Sequence, residues 1–122
     1  MQTAREAIDA YVDAWNISDL ETSRRLVEQA MTEDALMVYP RFEARGWKDI
    51  LELMATYKQQ VPGVRIELTS SAEEHHGWVR FGWRMHDATG SVLGEGEDVA
   101  ELSDDGRFTT VLGFRNPLPP LS

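Results

Sequence analysis

The sequence predicts an α+β fold with helices packed on one face of a curved antiparallel sheet. Three observations predict it: three segments of helical period lead the chain, the apolar period changes from 3.6 to 2 after Gly63, and glycine-marked turns divide the remainder into strands. A length of 122 residues suits one core, so residues 1–122 are read as a single domain.

Ile8, Tyr11, Val12 and Trp15 recur at i, i+3, i+4 and i+7 and form one apolar helix face, while Arg5, Glu6, Asp9 and Asp13 turn away from it. Thr3 and Glu6 have capping-box spacing at its start. A second box over Ser18–Glu21 opens another helix, whose buried side is expected to hold Leu20, Val27, Ala30 and Met31, with Leu26 beside them. Ala35–Tyr39 is short and apolar and stops at Pro40, which reads as a strand ending at an edge or turn. A third helix follows Gly46 with the stripe Trp47, Ile50, Leu51, Met54, Tyr57 and Val61, and Pro62-Gly63 ends it.

Beyond Gly63, Val64, Ile66 and Leu68 alternate with polar residues, and a turn at His75-His76-Gly77 leads into Trp78–Met85 as a hairpin. Asp87–Gly90 turns into a strand over Val92–Leu102, and Ser103–Gly106 returns the chain into Phe108–Phe114. Four antiparallel strands are therefore expected after one early strand, with 116–122 as an irregular tail.

The charge balance limits the partners. Twenty-one acids against twelve Lys and Arg give −9, which disfavours nucleic acid and anionic membrane surfaces. The chain has no cysteine, which removes thiol chemistry, and MQTAREAIDA has no apolar signal-peptide core, so a cytoplasmic location is expected. No metal site is expected: His75 and His76 share a turn, and His86 stands near a strand end with no ligand spacing. No phosphate loop or nucleophile elbow is present either, so no cofactor is implied.

Strand alternation singles out one acid. Val92, Gly94, Gly96, Asp98, Ala100 and Leu102 share a face, on which two glycines leave room and one carboxylate sits among apolar neighbours. Two readings fit: an acid lining a cavity, its pKa raised by desolvation, or an acid at a glycine-marked bulge facing solvent. An even loop at Ser103–Gly106 puts Asp98 on the same face as Thr109, Val111 and Gly113; an odd loop reverses this. Under the even reading Phe108, Leu112 and Phe114 face outward and ask for cover by a second subunit. Val79, Phe81, Trp83 and Met85 share the inner side of their strand, opposite Trp78, Arg80, Arg84 and His86. Trp15, Met54, Tyr57, Phe81, Trp83 and Val111 are the expected pocket wall, although each also reads as ordinary core.

Tyr11–Leu20 resembles the opening of the nuclear transport factor 2-like superfamily, including its SnoaL-like and ketosteroid-isomerase-like branches. The likeness continues through Asp34-Ala35, the strand ending at Pro40, Gly46 with Ile50, Val61-Pro62-Gly63, Gly96–Glu101 and Asp105-Gly106-Arg107, spanning residues 4 to 115. The resemblance implies a cone-shaped α+β fold enclosing an apolar pocket, and a homodimer through the outer sheet face. It matches Tyr11 and Asp98 to the isomerase branch's oxyanion-hole donors, whereas Tyr39 stands where that branch keeps its catalytic aspartate. A phenol is a poor base near neutrality, so Tyr39 is expected to donate a hydrogen bond. The implied function is binding of a small apolar carbonyl compound, with isomerisation, cyclisation or related proton-transfer or hydrolytic chemistry at Asp98, Tyr11 and Tyr39. The alternative is a non-catalytic module of the same fold that binds a small ligand or another protein.

Overall fold

Capping and period place the helices where expected. In the computed structural model, which describes residues 1–121, α1 spans Ala4–Asn16 and opens on a complete Thr3/Glu6 capping box. Its buried side includes Ile8, Tyr11, Val12 and Trp15. Helix α2 spans Leu20–Ala30, and its cap is Asp19 rather than Ser18, accepting from the Thr22 backbone N–H at 2.9 Å. Leu20 is consequently the first helical residue and is 70% exposed, so the buried side is Ser23, Val27 and Ala30. Met31 belongs to the strand that follows directly, β1 (Met31–Tyr39).

Pro40 and Arg41 turn β1 into β2 (Phe42–Arg45), a short strand that the sequence did not signal. Gly46, at φ +87°, then turns the chain into α3 (Gly46–Gln60), a conformation that a residue with a Cβ rarely adopts. The Trp47 indole fixes this helix by donating to the Met31 carbonyl at 2.9 Å.

The expected strand before the histidine turn is divided into β3 (Arg65–Leu68) and β4 (Glu73–His75), both antiparallel to β5 (Trp78–His86). The break lies opposite Gly82, whose backbone N–H donates to Ser70 Oγ at 2.8 Å. Strands β6 (Val92–Leu102) and β7 (Phe108–Arg115) complete a curved sheet in the order β2-β1-β7-β6-β5-β3, with β4 beside β5. All pairings are antiparallel except β1 with β7. The sheet stays open and wraps the helices as an α+β cone. Asn16 ties α1 to β3, donating to the Ile66 carbonyl at 2.8 Å and accepting its N–H at 2.7 Å. Residues 116–121 lie outside helices and strands.

One expected face is corrected. Asp98 pairs with Gly113 and Ala100 with Val111, as the even loop requires, but the register shifts between Glu101 and Leu102 so that Leu102 pairs with Phe108. This bulge turns Phe108 inward, where it is fully buried, stacks on Phe81 at 6.4 Å and meets the Tyr11 ring edge-on at 5.7 Å. Leu112 is half-buried, and Phe114 remains 57% exposed.

Phe108→Ala should therefore cost about 3–5 kcal/mol in urea unfolding, as loss of a core aromatic does. A cost below about 0.5 kcal/mol would return Phe108 to the surface.

Candidate functional site

The inner face of β6 meets α1 and β1 at Asp98. This side chain is only 2% exposed, because Phe81 on β5 and Gly113 on β7 are its cross-strand neighbours. A buried carboxylate needs donors, and two side chains supply them. Trp83 Nε1 donates to Oδ1 at 2.9 Å, and the Tyr39 hydroxyl donates to Oδ2 at 2.7 Å. Among the described residues no buried side-chain nitrogen or oxygen lacks a partner.

Glycines make these contacts possible by filling space with neighbours rather than leaving it empty. A Cβ on Gly113 would stand 2.0 Å from the Tyr39 ring, and one on Gly96 would stand 2.8 Å from the Trp83 indole and 2.0 Å from the Phe114 carbonyl oxygen. The expected vacancy at Gly94 and Gly96 is thus corrected: the Trp83 ring lies over Gly96, and the Arg115 guanidinium lies 3.3 Å from the Cβ position of Gly94. Trp83 pairs with Gly96 across the strands, so the indole reaches diagonally to Asp98.

Tyr11 makes no hydrogen bond to Asp98. Its hydroxyl lies 2.5 Å from the Tyr39 hydroxyl, and its second polar contact is Met37 Sδ at 3.3 Å. The three expected catalytic residues therefore form a line, Asp98–Tyr39–Tyr11, rather than separate donors. When Tyr39 donates to Asp98, its oxygen is left to accept from Tyr11. Burial pushes the Asp98 carboxyl from 3.8 up to about 7, with the Tyr39 and Trp83 hydrogen bonds pulling the other way. Burial and then the neighbouring Asp98 charge raise both phenols above the usual tyrosine range. Asp98 is thus the member of the line that changes charge near neutrality.

The line borders a cavity of about 310 Å³, at the small end of the roughly 300–1,000 Å³ that small-molecule sites occupy. Of the expected wall, Trp15, Tyr57, Phe81 and Trp83 line it. Met54 and Val111 do not: both are buried in the core. Val12, Pro40, Phe42, Ile66 and Met85 complete the apolar wall, and Arg41, Gln60 and Arg115 stand exposed at its mouth. None of these was read from the sequence as a site residue, although parity along β7 places Arg115 on the face of Gly113. Asp98 is the sole carboxylate in the lining, which contains no histidine. Among the described residues no group of three or more His, Asp or Glu could hold a metal ion, and no helix is long and apolar enough to cross a membrane.

Asp98 has a pH signature in stability. Its folded-state pKa is raised, so the folded protein binds this proton more tightly than the unfolded chain between about pH 4 and 7. The stabilising contribution is full below about pH 4 and is lost as pH rises through about 7. Chemical unfolding of the native protein minus that of Asp98→Asn should fall by about 4 kcal/mol across this window. A difference that stays flat with pH would contradict burial of an ionisable carboxyl.

Similar folds occur among solved structures. A proposed isomerase of the SnoaL-like family from Agrobacterium tumefaciens strain C58 is 32% identical, with 96% of this chain and 100% of that chain covered at a TM-score of 0.87. An NTF2-like protein of unknown function from Exiguobacterium sp. 255-15 is 17% identical over 92% and 99% of the two chains, with a TM-score of 0.73. A proposed SnoaL-like polyketide cyclase from Jannaschia sp. CCS1 is 12% identical over 92% and 86%, with a TM-score of 0.71. No family model matches the chain, and no curated protein does. The last two structures share the fold alone, but the identity and full coverage of the first place this chain in the SnoaL-like family.

Proposed function

We propose that the protein binds a small, largely apolar carbonyl compound and moves a proton to or from its oxygen, as an isomerase or cyclase does. One observation carries this reading: the hydrogen-bonded line Asp98–Tyr39–Tyr11 borders an apolar cavity and contains one group that titrates near neutrality. When Asp98 is protonated it donates to Tyr39 and Tyr39 to Tyr11, which leaves the Tyr11 proton facing only the weak acceptor Met37 Sδ and free to turn to a ligand.

With Asp98 in its acid form, the carboxyl proton passes to Tyr39, the Tyr39 proton to Tyr11 and the Tyr11 proton to the ligand's carbonyl oxygen. A water takes the proton from the adjacent carbon, which leaves an enol, and Asp98 recovers its proton from solvent. Reprotonation at another carbon gives an isomer, and attack of the enol carbon on a second carbonyl gives a ring. The hydroxyls thus stabilise the negative charge that develops on the ligand oxygen against an apolar wall. Isomerase and cyclase assignments of similar structures agree with this chemistry. The lack of a second carboxylate or histidine in the lining favours the alternative, a non-catalytic binding module.

The outer sheet face supports a homodimer, since Trp78, Leu93 and Phe114 remain exposed there without Phe108. Sedimentation at micromolar concentration should give about twice 13.8 kDa, and a monomer would remove the dimer.

Exchange of the α-hydrogens of 2-tetralone in D₂O tests the chemistry. The native protein should accelerate exchange, and Asp98→Asn should lower the rate by about 100-fold or more, with Tyr39→Phe also impaired. Binding of 2-naphthol, which resembles the enol, should persist in Asp98→Asn. Equal exchange rates in native protein and Asp98→Asn, with 2-naphthol still bound, would establish the non-catalytic alternative.

A further inference from the structure

The mouth of the cavity carries charge of the opposite sign to the protein as a whole. Arg41 lies in the two-residue turn between β1 and β2, and Arg115 ends β7; both line the cavity. Arg115 follows Val111 and Gly113 on the inward face, and its guanidinium lies on the Cβ side of Gly94, which is the inner face of β6. A side chain at position 94 would compete for that space.

Of the outward arginines of the same sheet, Arg80 and Arg84 carry acidic partners, whereas Arg65 on β3 carries none among the described residues. Arg80 pairs with Glu73 at 2.6 Å and Glu97 at 3.7 Å, and Arg84 pairs with Glu67 at 3.3 Å and Glu95 at 3.2 Å. Neither Arg41 nor Arg115 forms a salt bridge among the described residues, in a chain with 21 acids and only 12 Lys and Arg. The acids that outnumber them are absent from the cavity apart from Asp98. Gly94, beside which the Arg115 guanidinium lies, is four residues from Asp98 on β6, about 13 Å along the strand at roughly 3.3 Å per residue.

We infer that the ligand is an amphipathic acid: a carboxylate held by Arg115 and Arg41 at the mouth, an apolar body in the cavity, and its reactive oxygen at Tyr11. Guanidinium groups match carboxylate geometry through parallel N–H donors. A monoanion suits the site better than a phosphate dianion, because the surrounding net charge of −9 repels the second negative charge. The carboxylate fixes which end enters, so it sets orientation as well as affinity. This inference rests on the proposed pocket function and adds the class of ligand.

The test compares 6-hydroxy-2-naphthoate, with a hydroxyl and a carboxylate at opposite ends of a rigid body, against 2-naphthol by titration calorimetry at low salt. The native protein should bind the hydroxynaphthoate about tenfold more tightly, an advantage that added salt reduces. In the double variant Arg41→Gln/Arg115→Gln the ratio of the two dissociation constants should fall to near one. Arg25→Gln removes the same charge from the exposed side of α2 and should leave the ratio as it is in the native protein. If 2-naphthol binds and the carboxylate adds nothing, or Arg25→Gln lowers the ratio equally, the inference is overturned while the pocket reading stands. If neither compound binds, the pocket reading fails and the inference fails with it.

Discussion

Burial of the Asp98 carboxyl is the constraint from which the arrangement around the cavity follows. An isolated carboxylate in an apolar interior costs far more than one hydrogen bond returns, so both oxygens must be met by donors. The donors come from β5 and β1, which places Trp83 and Tyr39 on either side of β6 in a fixed register. That register in turn needs glycine at 96 and 113, where rings lie against the backbone. Even with both donors present, desolvation holds the acid near neutrality rather than in the usual carboxylate range. The same groups that make Asp98 tolerable in the core therefore make it chemically useful.

Charge is distributed in three zones. The outer sheet face pairs arginines with glutamates in exposed contacts that contribute little to stability individually. The cavity wall is apolar, which keeps the dielectric low around the hydroxyl line and strengthens each hydrogen bond in it. Its mouth holds two arginines without acidic partners. An acid excess over the rest of the surface sharpens this contrast, because a negatively charged protein discourages most anions and leaves this local cationic rim to admit one.

Several features were legible in the chain itself. The α1 face, the capping box at Thr3 and Glu6, and the α3 stripe rest on spacings of three and four residues, which local geometry converts directly into one side of a helix. Alternation along β6 placed Asp98 with Ala100, and an even loop at Ser103–Gly106 added Val111 and Gly113, with which the strand pairing agrees. Alternation failed at Phe108, because a bulge adds one residue and reverses the face without changing the composition around it. It also missed β2 and β4, which are short and partly polar and are held by neighbouring strands rather than by their own pattern. Gly96 looked like empty space, since a sequence shows an absent side chain but not the indole that occupies its place.

By itself the sequence determined the helices, the α+β order and the family resemblance, all of which depend on periodicity or on ordered motifs along the chain, and it left Asp98 between a cavity and a solvent-facing bulge. Only the tertiary structure joined Asp98 to Tyr39 across 59 positions, interposed Tyr39 between Asp98 and Tyr11, and set Arg115 over Gly94 at the cavity mouth. The physical reason is that a side chain's face is a local property, whereas its hydrogen-bond partner depends on strand register and on a gap of the right size in another strand. An acid among apolar neighbours can be recognised in sequence; its burial and its chemistry are set by the strands and donors that folding brings to it.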